Sequence, residues 1–331
     1  MKSRQSNSSG KASAIDRARY LYDLFIMRWR GRGGGFDNSH NLRRIVEYEA
    51  LAAKQGIDLK ASQILEIGVG QRPYLGITFF GLGYHHKGID LEQPIYPPTL
   101  SKAWRLYHAN GLLRLVKTLV RFFLFDQREY SSLFKQLGIT PGSIQKAQIF
   151  LQGNAALVAL GSLTISSFPT ASQQMPLVVV SESVFEHIPS ADLSLILLNL
   201  RHYSVASGRQ LLILTRPTIF TGICGSHLTE WYHHNVYSSK AKRSEPWEHL
   251  RKNRYLADTY LNCFSRTDYR ALFAAAGFKI LAETVEHPGL GSEFLADPNL
   301  RNELFDWNDD ELLSNEVMFE LVPLSTYDGG F

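Results

Sequence analysis

The sequence predicts a doubly wound α/β fold, in which helices cover both faces of a mostly parallel sheet. Short apolar runs alternate with helical segments at the spacing of strand–helix–strand units. The first run, at residues 64–67, passes into the glycine turn Gly68-Val69-Gly70, and the second ends in Asp90. A glycine turn followed about twenty residues later by a strand-terminal carboxylate is typical of a site for a nucleotide-like ligand.

The bulk composition is that of a globular protein. The 331 residues suffice for one large domain or a domain with an appended subdomain. A net charge of +4 makes nucleic-acid binding an unfavoured interpretation, and the basic residues within 240–254 are read as a solvated surface. Cys224 and Cys263 lack metal-ligand spacing, so we expect no metal site and a reduced, cytoplasmic protein.

The sequence predicts neither a secretory signal nor a transmembrane segment. The first ten residues are polar, and no apolar run reaches the roughly 18 residues that a membrane-spanning helix needs. The most lipid-like segment, 112–125, is interrupted by Arg114, Lys117 and Arg121. A helix packed on the core is the favoured interpretation, and peripheral membrane contact stays open.

Three parts of the chain are distinguished by their patterns. Residues 1–11 are expected to be a disordered tail, and residues 12–59 to form two helices, at 12–30 and 38–55. Residues 60–331 form the main domain. Within it, residues 94–145 are helical, with breaks expected at Pro97-Pro98, Asp126 and Gly138. This segment is too long for an ordinary strand-to-strand connection, so it predicts an inserted helical subdomain.

Seven strands are predicted in the main domain. The two latest in the chain are expected to form an antiparallel hairpin at one edge of the sheet. Helices are expected at 74–81, 190–205 and 266–276, and strands at 63–68, 86–90, 148–152, 177–180, 210–215, 278–285 and 316–322.

The glycine turn departs from two common nucleotide-binding patterns. A dinucleotide-binding turn has the pattern G-x-G-x-x-G, with glycine or alanine at the last position, where this chain has Pro73. No glycine loop ending in Lys-Ser or Lys-Thr is present, which disfavours a nucleoside-triphosphate loop.

Several motifs, taken together and in order, resemble class I S-adenosylmethionine-dependent methyltransferases. The resemblance covers about residues 60–95 and 148–322, and it implies a Rossmann-like, seven-stranded sheet whose last strand is antiparallel. The motifs are LEIGVG at 65–70, GIDL at 88–91, GNA at 153–155, VVVSESVFEHIP at 178–189, GRQLLIL at 208–214, and FSRTD at 264–268 with AGF at 276–278.

The resemblance implies S-adenosylmethionine as the cofactor and gives roles to individual residues. Glu66, Gly68 and Gly70 would form the turn under the methionine part, and Asp90 would bind the ribose hydroxyls. The other implied contacts are Leu91, Asn154 and Ala155 near adenine, and Ser181 and Glu182 beside the methionine and the transferring methyl.

Two residues depart from the family pattern: Arg72 replaces a common glycine, and Asn154 an aspartate. Simpler structural interpretations also stay open. The glycines would then merely end a strand, Asp90 would cap a helix, Asn154 would be a turn residue, and Glu182 a structural hydrogen-bonding group.

The predicted reaction is methyl transfer to a small-molecule or glycan acceptor, with a hydroxyl oxygen as the favoured atom. Such an acceptor requires a base, and histidine titrates near working pH. His227, in an aromatic segment that we interpret as an acceptor lid (217–262), is the first candidate. His187 is the second, although a structural role is favoured for it.

Two other functions remain as alternatives. The first is a catalytically silent, methyltransferase-like binding or regulatory protein, and the second is a nicotinamide oxidoreductase, which Pro73 disfavours.

Overall fold

The computed structural model describes residues 36–90, 96, 98–143, 175–223, 225–226, 245–253 and 260–324, with single positions at 22, 26 and 29. Six strands form one sheet: β1 Gln63–Ile67, β2 His85–Ile89, β3 Leu177–Glu182, β4 Leu211–Arg216, β5 Phe278–Glu286 and β6 Glu316–Pro323.

Six helices of eight or more residues are described: α1 Ser39–Lys54, α2 Tyr74–Gly81, α3 Leu100–Arg121, α4 Gln127–Leu137, α5 Ser190–Ser207 and α6 Arg266–Ala275. Shorter helical pieces are Phe122–Asp126 (a π-helix), Phe185–His187 (a 3₁₀-helix), Glu248–Arg251, Ser292–Leu295, Pro298–Glu303 and Asp309–Leu312.

The sheet has the order β2-β1-β3-β4-β6-β5. Strands β1 to β4 pair in parallel, whereas β6 runs antiparallel to both β4 and β5. The predicted antiparallel hairpin at one edge is therefore confirmed. The remaining predicted strand, at 148–152, lies outside the described residues and stays a prediction.

Burial on both faces of the sheet explains the continuous apolar runs of β3 and β4. Val178, Val180, Leu212 and Leu214 pack with α1 on one face. The alternate residues of the same strands pack with α5 and α6 on the other face. This arrangement places α1 beside the residues that follow Val180 and Leu214 at the strand ends.

The predicted helices at 38–55, 74–81, 190–205 and 266–276 are found close to their expected bounds, and local residues explain where they begin and end. The predicted tail 1–11 lies outside the described residues, as does the predicted helix 12–30 apart from its single described positions. Ser265 and Asp268 form a reciprocal capping box at the start of α6. Gly208 ends α5 in the left-handed conformation, which glycine adopts without strain.

The helical region 98–143 differs from its prediction in two places. The expected break at Asp126 is absent, because a π-helix over Phe122–Asp126 runs directly into α4. An unpredicted kink occurs at Gly111, whose φ of 78° is outside the helical range. That these helices form a separate subdomain stays a prediction.

The direction of each strand determines which residues lie together at the ends of the strands. The carboxyl ends of β1 to β4 lie at one edge, and the start of β6 lies there too because β6 runs in the opposite direction. We call this the carboxyl edge. None of the helices in the described ranges is long and apolar enough to cross a membrane.

Candidate functional site

The glycine turn and Asp90 lie together at the carboxyl edge. The backbone N–H of Gly70 donates to Asp90 Oδ2 at 2.7 Å, and the N–H of Gly68 donates to the carbonyl of Ile89 at 2.8 Å. The parallel register of β1 and β2 brings these strand ends side by side. The structure thus joins the two features that the sequence separates by twenty positions.

The two glycines of the turn serve different structural purposes. A Cβ at Gly68, whose φ is +85°, would lie 2.1 Å from Val184 Cγ2, so packing alone requires glycine there. A Cβ at Gly70, with φ +66°, would meet no atom within 4 Å. Open space at Gly70 is what close approach of a ligand to the backbone requires.

Glu66 is held beneath the turn by a partner that the sequence analysis missed. Its Oε2 lies 2.8 Å from His86 Nε2, and both side chains are buried. Helix α2 crosses this pair at Gly76, where a Cβ would lie 2.9 Å from Glu66 Oε2. Glu66 therefore has a structural partner, and its contact with a cofactor stays a prediction.

Arg72, the first departure from the family pattern, connects the turn to α4. Its Nη1 lies 3.6 Å from Glu129 Oε2, and its guanidinium lies 5.7 Å from the centre of the Tyr74 ring. Tyr74 also donates a hydrogen bond to Glu129. These contacts give Arg72 a local role that does not depend on a ligand.

A group of charged and polar side chains occupies the carboxyl edge beside α1, and we call it the edge cluster. It joins α1 to the ends of β3, β4 and β5 and the start of β6. Its members are Arg44, Glu47, Tyr48, Glu182, Arg216, Glu286 and Glu316.

Arg216 is the centre of the edge cluster. It is 0% exposed, and its Nη1 donates to both carboxylate oxygens of Glu182, at 2.7 and 2.9 Å. Its Nη2 donates to Glu47 Oε1 at 2.6 Å, and its Nε lies 2.9 Å from Glu286 Oε1. Burial opposes the charged form, yet Glu182 and the other neighbouring groups raise the pKa of Arg216 above its usual value.

Glu182 is thus firmly held from two sides. Besides Arg216, the hydroxyl of Tyr48 donates to its Oε1, and burial followed by the charge of Glu182 raises the pKa of Tyr48. The structural interpretation of Glu182 is therefore supported. Its position at the end of β3 also keeps it beside the predicted methyl site, and that contact stays a prediction.

Ser181, the other strand-end residue predicted to contact the cofactor, is buried at the end of β3. Its Oγ has no hydrogen-bond partner among the described residues. Buried hydroxyl groups normally have such a partner. A polar ligand group at this strand end would supply one.

Glu316 differs from the other three carboxylates of the edge cluster. An arginine lies within 4.0 Å of each of Glu47, Glu182 and Glu286. The Glu316 carboxylate, by contrast, forms no ion pair or hydrogen bond within the part of the chain that the structure describes. Burial, and then the charge of Glu182, raise its pKa to about 7. A carboxyl group with that pKa can exchange a proton at neutral pH.

The sequence analysis missed Glu316 because it lies at the start of its strand. Ligand-binding residues of a parallel sheet are sought at the strand ends. The antiparallel direction of β6 reverses this rule, and the predicted hairpin was the one signal that pointed to it.

His187 lies in the 3₁₀-helix after β3, and its Nδ1 is 2.9 Å from the carbonyl oxygen of Tyr260. The neighbouring Glu186 accepts a hydrogen bond from Thr218 Oγ1 at 2.6 Å. Both contacts hold the loop after β3 against other loops, which supports the structural interpretation of this segment. The other predicted base, His227, lies outside the described residues, as do Leu91, Asn154 and Ala155.

The described part of the predicted acceptor lid uses its aromatic residues for packing. Trp247 is buried and donates from Nε1 to the carbonyl of Thr221 at 3.1 Å. His249 Nε2 lies 2.7 Å from the carbonyl oxygen of Phe220, and burial lowers the pKa of His249 to about 4. These lid residues belong to a small hydrophobic core. That other lid residues bind an acceptor stays a prediction.

The basic residues near the lid are engaged with acidic neighbours. Arg251 pairs with Glu245 and Glu303, and Lys252 pairs with Glu245. The Arg251 side chain is 11% exposed and that of Lys252 44%. The other basic residues of 240–254 lie outside the described residues, so the interpretation of this region as a solvated surface stays a prediction. In the described ranges, no group of His, Cys, Asp and Glu side chains has a metal-binding arrangement.

No protein-family model matches the chain, and no curated protein matches it by sequence. Solved structures do resemble it. Magnesium protoporphyrin IX methyltransferase (ChlM) from Synechocystis PCC 6803, with bound SAH, is 11% identical with a TM-score of 0.40, and the match covers 92% of this chain and 97% of that chain.

Two further structures match at similar levels. A SAM-dependent methyltransferase from Archaeoglobus fulgidus is 12% identical with a TM-score of 0.37, over 91% of this chain and 99% of that chain. The glycopeptide N-methyltransferase MtfA is 12% identical with a TM-score of 0.36, over 84% and 89%. Because the identities and TM-scores are this low, these names describe those proteins alone, and the site is interpreted from its own geometry.

Proposed function

We propose that the chain is an S-adenosylmethionine-dependent methyltransferase. The observation that carries the proposal is the contact between Gly70 and Asp90, with the backbone N–H 2.7 Å from the carboxylate at the carboxyl edge. It places a strand-end carboxylate next to a glycine turn that leaves room for a ligand. A ribose with its adjoining group is recognised by these two elements.

The residues present fit this cofactor. Asp90 offers a carboxylate for the two ribose hydroxyls, Gly70 offers open space beside its backbone, and Ser181 offers a buried hydroxyl without a partner in the described region. Glu66, Gly68 and Glu182 lie at the same edge, and Leu91, Asn154 and Ala155 complete the proposed adenine contacts.

The bound cofactor supplies an electrophilic methyl group for in-line displacement. The protein therefore has to align the acceptor atom with that methyl group, exclude water, and take up the acceptor's proton. The proposed acceptor is a hydroxyl oxygen of a small molecule or glycan. The edge cluster and the glycine turn lie at the same carboxyl edge, and the acceptor is proposed to bind on this side of the sheet.

Three residues are candidates for the proton acceptor. His227 and His187 were chosen from the sequence. Glu316 is added because its carboxylate has no partner in the described region and its pKa is raised to about 7. Arg44 on α1, Glu182 on β3, Arg216 on β4 and Glu286 on β5 are the charged groups around it.

Titration of Glu316 gives a pH-dependent stability that can be measured. Its pKa in the folded protein, about 7, is above the ordinary 4.5, so the folded state holds a proton that the unfolded state releases between these values. The free energy of unfolding should therefore fall, through this group, as the pH rises from 4.5 to 7. Chemical unfolding followed across this range should show a flatter profile for Glu316→Gln than for the wild type.

Val317→Ala is the matched control, because Val317 is a buried residue without a titratable group on the same strand. It should lower the free energy of unfolding at every pH without changing the shape of the pH profile. Identical profiles for Glu316→Gln and the wild type would remove Glu316 from the candidates.

If Glu316 acts as the base, the rate of methyl transfer by the wild type should rise with pH through about 7.

Calorimetric titration with S-adenosylmethionine tests the proposed function. We expect saturable binding of S-adenosylmethionine and S-adenosylhomocysteine, and no binding of NAD. Binding of NAD alone would instead support a nicotinamide oxidoreductase. If the protein binds S-adenosylmethionine but transfers no methyl group to pooled hydroxyl acceptors, the silent binding protein becomes the better account.

A further inference from the structure

Two buried side chains beneath the glycine turn contact each other across β1 and β2. His86 Nε2 lies 2.8 Å from Glu66 Oε2, and the parallel register places His86 opposite Ile64, on the same face of the sheet as Glu66. A carboxylate accepts hydrogen bonds and cannot donate one, so Nε2 carries the proton of this bond when Glu66 is ionised. The pair opens toward solvent through Glu66, because its side chain is 7% exposed whereas that of His86 is 0% exposed.

The packing around His86 fixes the plane of its ring. The imidazole stacks on Phe79, with the ring centroids 5.4 Å apart and an angle of 13° between the planes. On helix α2, a Cβ at Gly76 would lie 2.6 Å from His86 Cε1, so glycine is what lets the helix pass this close. The ring therefore has little room to turn away from Glu66.

Packing alone does not account for a histidine at this position. His86 Nδ1 is buried and has no hydrogen-bond partner among the described residues, which lowers stability relative to an apolar side chain of similar size. Within the described part of the chain, the bond to Glu66 is the one hydrogen bond of the imidazole. Orienting Glu66 is therefore what a histidine does here and an apolar residue would not.

His86 engages only one of the two carboxylate oxygens of Glu66. Oε1 forms no hydrogen bond within the ranges that the structure describes, and Glu66 lies two residues before Gly68 at the carboxyl edge. A carboxylate with one oxygen fixed and the other open suits a positively charged ligand group, because hydrogen bonds between charged groups are the stronger ones. The methionine part of the proposed cofactor carries such a group, an ammonium.

We propose that His86 is a positioning residue for cofactor binding. It fixes Oε2 of Glu66, so that Oε1 accepts a hydrogen bond from the ammonium group of the methionine part. His86 acts through Glu66 and does not touch the cofactor, because its side chain is fully buried. The inference rests on the proposed function, and it concerns recognition of the amino-acid part of the cofactor, whereas Asp90 concerns the ribose.

Calorimetric titration with two ligands tests the proposal. S-adenosylhomocysteine carries the amino-acid part, and methylthioadenosine has the same nucleoside and sulfur without it. His86→Leu removes the hydrogen-bond donor and should weaken S-adenosylhomocysteine binding roughly tenfold, while methylthioadenosine binding stays within about twofold of the wild type. His86→Asn, whose shorter side chain does not reach Glu66, should do the same, so the result does not depend on one variant folding. His86→Gln places an amide N–H near the position of Nε2 and should restore most of the affinity.

A double-variant cycle shows whether His86 acts through Glu66. Glu66→Gln should itself weaken S-adenosylhomocysteine binding roughly tenfold, and adding His86→Leu to it should change the affinity by about twofold or less. His249→Leu is the matched control, since His249 is also buried, bonds a neighbour through Nε2 and has no partner for Nδ1 in the described region. It should lower the thermal stability and leave both affinities unchanged.

Equal losses of affinity for the two ligands in His86→Leu would overturn the inference, because a general structural defect would then explain them. Additive losses in the double variant, or a His86→Gln variant that binds as weakly as His86→Leu, would overturn it too. The proposed function survives each of these results, since the wild type binds S-adenosylhomocysteine in all of them. Absence of binding by the wild type would instead overturn the proposed function and this inference together.

Discussion

Replacing Arg216 by alanine should destabilise the protein by about 3–5 kcal/mol, the usual cost of breaking a buried ion pair by removing one partner. Arg216 is fully buried and contacts three carboxylates, from Glu47, Glu182 and Glu286. Without it, the carboxylates of Glu182 and Glu286 would remain close together without their main positive neighbour. Urea unfolding followed by circular dichroism measures the difference, which is a large fraction of the roughly 5–15 kcal/mol stability of a typical domain.

Arg270→Ala is the matched control for this prediction. Arg270 also binds a carboxylate through two nitrogens, with Glu283 at 2.8 Å, but its side chain is 39% exposed. Its loss should cost about 1 kcal/mol or less, because solvent screens such pairs. Arg216→Lys keeps the charge without the guanidinium fork and should lie between the two. Equal losses in Arg216→Ala and Arg270→Ala would show that the edge cluster is not the buried network described here.

Replacing Asp90 by alanine should weaken S-adenosylmethionine binding by roughly 100-fold, or about 3 kcal/mol, because two hydrogen bonds to a charged group are lost. The position of Asp90 next to Gly70 is the reason to expect that both ribose hydroxyls bind it. Isothermal titration calorimetry on the wild type and the variant provides the two dissociation constants. Thermal unfolding of both proteins shows whether the variant remains folded.

Two further variants separate the ligand contact from the backbone contact of Asp90. Asp90→Asn retains an oxygen that can accept from Gly70, but loses the charge, so it should bind the cofactor less well while keeping the turn. Asp58→Ala removes a comparable carboxylate, which accepts from the N–H of Lys60 at 2.9 Å, far along the chain from the turn. It should leave affinity unchanged, and an equal loss in Asp58→Ala and Asp90→Ala would refute the assignment of Asp90.

Local sequence patterns were sufficient to predict most of the described elements. The strand β3 begins with a continuous apolar run, α5 is followed by Gly208, and Ser265 caps the start of α6. Each of these signals depends on residues close together in the chain. The kink at Gly111 was missed because an isolated glycine in a helical pattern is usually tolerated.

In the candidate site, too, local patterns predict one part and miss another. The contact of Gly70 with Asp90 follows from two neighbouring parallel strands, which the spacing predicts. The edge cluster depends on long-range pairing: Arg216 and Glu47 are 169 positions apart. No pattern in the sequence indicates that α1 lies over the ends of β3 and β4. Glu182 was therefore assigned to the cofactor without knowledge of its contacts with Arg216 and Tyr48.

The measurement that tests the central claim most directly is a crystal structure of the protein with S-adenosylhomocysteine. The account predicts that both ribose hydroxyls lie within hydrogen-bond distance of the Asp90 carboxylate and that the homocysteine part lies against Gly68 and Gly70. A ligand bound at any other place, or bound here with its ribose away from Asp90, would contradict the account.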